Sequence, residues 1–383
     1  MARIRGRLKE SICPMPRLFL GNFDFEHRLA DPQNEPSAKL KRLNAELATS
    51  WLAIADDGDW IWTPSPIEPV FFLDAVREGL PKVIPVTSLA NVPNDVECVP
   101  WGWSAEIRKL AKQFGWHANA PLDKSVRLAN SRATSEELER SWDISLHDAR
   151  RIETLNEFTS AIRSLRHASQ RWVVKAEFGM SARERILGQG PPSASDENWV
   201  RRRLAAQGAV FFEPWVERID ELGIQIDVPR DGIPQLIGLT PMLVDGRGQY
   251  AGSWFERDRL RFPFDEGGWS EAVEVALRAA TQVQSLGYFG PLGIDSMKYR
   301  DEDGRIQIRP LQDINARWTM GRLSLGLRRF VEPVAQGFWQ HRSKDAPLDS
   351  VPFDATRIIA TSPDRVGGDD CRHASRILLR ISK

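Results

Sequence analysis

Cysteine is nearly missing from this chain: Cys13, Cys98 and Cys371 are the only three in 383 residues. Odd in number and far apart, they form neither a zinc pattern nor a secreted disulfide framework, so a cytosolic location is expected. Net charge is missing too. Lys plus Arg and Asp plus Glu both total 52, which leaves no overall field to draw the chain to nucleic acid or to a membrane surface. No segment approaches the ~20 apolar residues of a membrane span. The basic start, Met1 to Arg7, is followed by charge and prolines rather than by the apolar core of a signal peptide. The six histidines show no metal-ligand spacing, no GxGxxG run marks a dinucleotide fingerprint, and no internal repeat or low-complexity stretch is evident.

The residues that are present suit a globular enzyme of two or three compact units, with 42% hydrophobic content for the cores. Up to about residue 120, short apolar runs at 17–21, 51–55 and 82–86 alternate with helical stretches at 38–47 and 104–114, the pattern of an α/β layer. Pro121 punctuates the chain, and a long, strongly charged helical region is expected from about Lys124 to His167, interrupted near Trp142. Arg171 to Gly179 is a β-rich run entering a small-residue turn, with Arg185 to Gly188 as its return strand. After a helix around 197–207, the strand 209–216 ends at Glu213 and Pro214 and suggests a hinge between subdomains. Strands at 222–228 and 235–244 and a helix at 270–286 follow. From about Ala346 two more strands, 356–360 and 376–381, have no assigned role.

The chemistry concentrates in a hairpin. Its first strand, from Gly290, carries Asp295; Asp303 and Gly304 supply a turn; the returning strand delivers Asp313, Asn315 and Arg317 at period two, on one face. Hard oxygen donors of this kind suit magnesium, which keeps several waters and is commonly shared with nucleotide phosphates, so ATP is the expected companion. Taken alone, these residues are equally compatible with a solvated hairpin bearing ordinary surface acids. Mirroring the hairpin about its turn puts Asp295 opposite Pro310, not Asp313. The acids come level only if a strand is bulged, and Pro310, which lacks a ladder donor, could mark the bulge.

In order along the chain, Lys124, Lys175 before a small-residue loop, Glu213 ending a strand, Glu221, Asp295, Asp313, Asn315 and Arg317 resemble the ATP-grasp superfamily. The resemblance runs from about residue 121 to 330, and the stretch before it is similar to a pre-ATP-grasp domain. It implies an α/β (α+β) fold of two subdomains sandwiching ATP, preceded by a Rossmann-like domain. The expected division is 1–120, 121–208, 209–345 and a C-terminal extension at 346–383. By resemblance, Lys124 and Lys175 reach the nucleotide phosphates, helped by Ser181 and Arg183 in the loop. Glu213, Trp215 and Val216 match the adenine hinge, and Glu221 the ribose acid, with Glu217 and Asp220 close by as alternatives. Asp295, Asp313 and Asn315 match the positions that hold Mg2+ or Mn2+, and Arg317 an arginine beside the transferred phosphate. Two departures stand out: Asp313 replaces the usual Glu, and the loop after Lys175 has fewer glycines than a usual phosphate lid.

The implied activity is an ATP-dependent carboxylate–amine ligase working through an acyl-phosphate and releasing ADP and phosphate. It would act on small molecules, as a possible homodimer. A small-molecule kinase and a nucleotide-binding regulatory protein are the alternatives. No residue reads as a general base. Pro100 to Trp103 reads as a packed corner, and Asn22 to His27 as a ligand-facing loop of the N-terminal sheet.

Overall fold

The apolar run Arg17–Leu20 forms a central strand of a four-stranded parallel sheet, because helices intervene between it and its neighbours. The strand order is Ile84–Val86, Trp60–Trp62, Arg17–Leu20, Glu97–Pro100. Helices Ala38–Leu47 and Ala105–Phe114 begin where Ser37 and Ser104 accept hydrogen bonds from the first-turn amides of Leu40 and Ile107. This computed structural model describes residues 15–33, 35–167, 169–179, 184–246, 248–256, 268–330, 335–344 and 354–381. Cys13, Ser181 and Arg183 lie outside the described residues.

Two local expectations are corrected. The apolar run at 51–55 is no strand; Ala48–Ala53 is a fully buried 3-10 turn, with Trp51 stacked on Phe19 at 4.8 Å between ring centroids. A short run that is apolar on every side carries no periodicity to separate the two conformations. The charged helical region is interrupted near Trp142 as expected, but it is four elements in all: helices Asp123–Ala129 and Arg132–Ser141, strand Arg150–Ile152 and helix Leu155–Arg163. Ser131 caps the second helix by accepting from Ala133 N, and Asp143 and Asp148 take left-handed φ values of 56° and 63°, which no helix tolerates.

A second, antiparallel sheet has the order Arg150–Ile152, Val210–Pro214, Arg171–Ala176, Arg185–Gln189. The expected 171–188 hairpin is therefore present. Its own core holds Phe158, Trp172, Val174, Val200 and Phe212. Gly188 is required there, since a Cβ would lie 2.0 Å from the Trp172 ring.

The third sheet is antiparallel throughout, with eight strands in the order Ile306–Asn315, Gly290–Arg300, Glu217–Val228, Gln235–Val244, Tyr250–Glu256, Ala335–Ser343, His373–Ile381, Arg357–Ala360. Ile224, Ile294 and Ile314 lie side by side on the face opposite Asp295. They share a core with the small residues Ala272, Ala276, Ala279 and Ala280 of helix Ser270–Ser285. Pro214 to Val216 links the second sheet to the third, where the sequence suggested a hinge. The described part of 346–383 is not an appendage. Strand His373–Ile381 pairs along its full length with Ala335–Ser343, and Ile377, Leu378 and Leu379 are buried. No helix among the described residues is long and apolar enough to cross a membrane.

Candidate active site

The hairpin brings its acids level. Asp295 pairs with Asp313, while two residues on Met297 pairs with Arg309, so Ser296 alone faces Pro310, Leu311 and Gln312. This is the bulge that the position of Pro310 suggested. The buried Ser296 hydroxyl closes it by donating to Pro310 O at 2.7 Å. Asn315 Nδ2 donates to Asp295 Oδ2 at 3.1 Å, and Asn315 Oδ1 accepts from Arg317 Nη2 at 3.0 Å. Arg317 also donates to Trp318 O at 2.9 Å and is ion-paired with Glu26 of the N-terminal unit. Burial, and then the charge of Asp313, push the Asp295 carboxyl up to about 7. Asp295 itself has no ion pair among the described residues; its partner is the Asn315 amide.

Two carboxylates and one amide oxygen form the donor set; no group of three or more His, Cys, Asp or Glu side chains that could hold a metal occurs among the described residues. That set fits magnesium, which takes one or two carboxylates and completes its shell with water and phosphate oxygens. It would not suit a metal that needs an all-protein cage.

Lys175 enters from the second sheet. Its Nζ lies 2.8 and 2.7 Å from the two oxygens of Glu213, which Arg309 approaches at 3.1 Å, and Arg309 in turn binds Glu139 at 2.7 and 2.8 Å. Burial pushes the Lys175 ammonium down to about 8 against the pull of Glu213. Burial also opposes ionisation of Glu213, but Arg309 and Lys175 outweigh it and hold that carboxyl far below its usual range.

Several expected contacts are arranged differently. Glu213 is engaged by these cations and does not line the cavity described below, nor do Trp215 and Val216. The Trp215 ring is instead surrounded by the guanidiniums of Arg171, Arg185 and Arg218 at 5.0, 5.7 and 4.5 Å. Lys124 is exposed on helix Asp123–Ala129 and away from the cavity lining, because that face of the helix points to solvent. The cation beside the acids is Arg132, which binds Asp313 at 3.0 Å and donates to Ala176 O at 3.0 Å. Its signal in the sequence was faint but physical: an arginine in the first helical turn opposes the helix dipole and asks for an anion. Glu221 does line the cavity, held by Arg218 at 2.8 Å.

The cavity measures about 270 Å³. One face of the eight-stranded sheet makes its floor, from Asp313 and Asp295 through Gln225 and Met242 to Tyr250 and His341. The N-terminal unit makes its roof with Phe23, Leu43, Leu47 and Trp101. Trp101 is thus both a packed corner, 4.7 Å from the Phe23 ring, and a wall of the cavity. In the middle, Gln225 donates to Thr240 Oγ1 at 3.0 Å and accepts from Thr319 Oγ1 at 2.8 Å. Helix Met320–Gly326 seats on this network through Gly321, where a Cβ would lie 2.5 Å from Thr240 Oγ1. His341 and His373 line the far end, with His341 Nδ1 and His373 Nε2 3.2 Å apart. Thirty-two residues apart in sequence, they gave no signal there.

No protein-family model matches the sequence, and no curated protein matches it. Solved structures do match in fold. N5-carboxyaminoimidazole synthetase from Staphylococcus aureus, in complex with ADP, superposes with a TM-score of 0.53 at 11% identity, covering 97% of this chain and 94% of that one. The biotin carboxylase domain of Hydrogenobacter thermophilus 2-oxoglutarate carboxylase, with MgADP and bicarbonate, gives 0.52 at 11% identity, over 96% of this chain and 86% of that one. Biotin carboxylase from Campylobacter jejuni, in a β-γ-ATP complex, gives 0.52 at 9% identity, over 96% and 88%. Identities this low speak to architecture alone, and the architecture shared is an ATP-grasp fold with an α/β domain ahead of it.

Proposed function

We propose that this chain is an ATP-dependent, ADP-forming ligase that activates a carboxylate as an acyl-phosphate and transfers the acyl group to an amine or similar nucleophile. The observation that carries the reading is the level pair Asp295 and Asp313, one pushed up to about 7, set in one cavity with Arg132, Lys175 and Arg317. Bound magnesium would supply charge neutralisation at the phosphates. Asp295, Asp313 and Asn315 would hold it. Lys175 and Arg132 present positive charge to the transferring phosphoryl group, Glu221 offers an acceptor to the ribose hydroxyls, and Arg317, fixed by Glu26 and Asn315, faces the anionic acyl-phosphate.

The bonds balance simply. A substrate carboxylate oxygen bonds to the γ-phosphorus as the bond to ADP breaks; the nucleophile then bonds to the acyl carbon as phosphate leaves, and its proton passes to solvent. The nucleotide-bound neighbours support the nucleotide part of this reading. Release of ADP and phosphate from Mg-ATP with pooled carboxylates and amines, followed by mass spectrometry, tests it. A condensed product matched to ADP and lost in Asn315→Ala is expected. ADP matched instead to a phosphate ester would make the protein a kinase, and Mg-ATP binding without turnover in any pool would make it a regulator.

A further inference from the structure

Strand Ile306–Asn315 leaves the sheet at Asn315, whose partner across the hairpin is Gly293. The next residue, Ala316, is 1% exposed and sits at the centre of a three-residue turn, closed by Arg317 N donating to Asn315 O at 2.9 Å. Its own N–H and C=O lie past the end of the ladder. Buried backbone groups in that position need partners from elsewhere.

The partner comes from 186 residues earlier in the chain. Asn130 Oδ1 accepts from Ala316 N at 2.9 Å and Asn130 Nδ2 donates to Ala316 O at 3.2 Å, so one side-chain amide takes the place of a neighbouring strand. The amide is itself held. Asn130 follows the last turn of helix Asp123–Ala129, where Nδ2 also donates to Val126 O at 2.8 Å. The two residues after it are anchored to the second sheet and to the hairpin: Ser131 Oγ donates to Glu177 Oε1 at 2.6 Å, and Arg132 donates to Ala176 O and meets Asp313, both at 3.0 Å. Capping its own helix would require only the bond to Val126 O. The two bonds to Ala316 are a second task.

Ala316 lies between Asn315 and Arg317, whose side chains meet at 3.0 Å and both line the cavity, whereas Asn130 does not line it. We infer that Asn130 is a positioning residue: by pairing with Ala316 it sets the Asn315 amide against Asp295 and fixes the Arg317 guanidinium beside it. The inference rests on the ligase reading for its effect on turnover. Its effect on metal binding is tested separately.

Asn130→Ala should lower kcat by about 100-fold, the scale of a small misplacement of reacting groups. Calorimetric titration of the full chain gives a readout that needs no turnover. AMPPNP without magnesium should bind the variant as it binds wild type, which certifies the fold, while the tightening that magnesium brings should shrink by about tenfold. Asn130→Asp separates positioning from stability. Its carboxylate can still accept from Ala316 N, but its other oxygen faces the Ala316 and Val126 carbonyls, and only the protonated acid can donate to one of them. Turnover of Asn130→Asp relative to wild type should therefore rise several-fold as pH falls from about 8.5 to about 5.5. Arg127, Arg132, Glu177, Asp313 and Arg317, the charged groups on the surrounding segments, are present in both proteins, so the ratio isolates residue 130. Wild-type kcat or an undiminished magnesium effect in Asn130→Ala overturns the inference, and so does a pH-independent ratio for Asn130→Asp. If the wild type binds Mg-AMPPNP but turns over no pool of carboxylates and amines, the ligase reading fails and the magnesium effect alone decides this one.

Discussion

Glu213 and Asp295 are two enclosed carboxylates on different sheets, and their surroundings push them in opposite directions. Glu213 is shared by Lys175 and Arg309 and kept ionised; Asp295 faces Asp313 and holds its proton up to about 7. The first site is complete within the protein. The Glu213 and Glu139 carboxylates are neutralised there, tying the second sheet to strand Ile306–Asn315 and to helix Arg132–Ser141, while Lys175 keeps an edge on the cavity. At the second site Arg132 already meets Asp313 at 3.0 Å, but Asp295 has the Asn315 amide and no ion pair among the described residues, so a further cation would favour its ionised form. A carboxylate next to a cavity is therefore informative about ligands only after its existing partners are counted.

Breaking the second site should have the largest effect. Asn315→Ala is expected to lower turnover by about 1000-fold while circular dichroism and Mg-free stability stay near wild type, measured by ADP release. Breaking the complete site should show in stability instead. Glu213→Gln removes the anion shared by two buried cations, and urea unfolding should register a loss of about 3 kcal/mol.

The acid–acid pair also gives a pH signature with a definite sign. Asp295 holds its proton to about 7 when folded and to about 4 when unfolded. The metal-free chain therefore has the full benefit below about 4 and loses it as pH rises through about 7. Asp295→Asn should remove that slope and raise metal-free stability at pH 8 by about 2 kcal/mol, even as it abolishes turnover. Magnesium should stabilise only the wild type. Gly321→Ala should raise KM by several-fold, since its Cβ would press on Thr240 and Gln225 and lift helix Met320–Gly326 from the floor. The smallest effect is expected at Lys124→Ala, whose exposed side chain does not line the cavity; steady-state kinetics matching wild type would agree.

The parts legible in the sequence were those set by local rules. The turn at Asp303 and Gly304, the period-two face of Asp313, Asn315 and Arg317, and a proline that cannot join a ladder are all readable within 25 residues. The 171–188 hairpin was legible for the same reason. What could not be read came from distance in the chain. Glu26 meets Arg317 across 291 residues, Arg309 meets Glu139 across 170, and His341 meets His373 only because two strands pair. Lys124 shows the converse: a lysine in a plausible motif was turned outward by the helix that carries it. The break near Trp142 was legible and falls where the helix ends at Ser141, but continuous charge masked the breaks at Ser131 and Asp148, because charged residues suit helices and loops alike.

The order of strands across the large sheet also sets an order in time. The acidic hairpin has all of its residues once position 317 has left the ribosome, but the wall holding His373 does not exist until some sixty residues later. Strand Arg357–Ala360 waits for it too, since among the described residues its one neighbour in the sheet is His373–Ile381. During synthesis the hairpin of Asp295 and Asp313 is thus complete before the far wall of the cavity is made, so the wall must form against a floor that is already there.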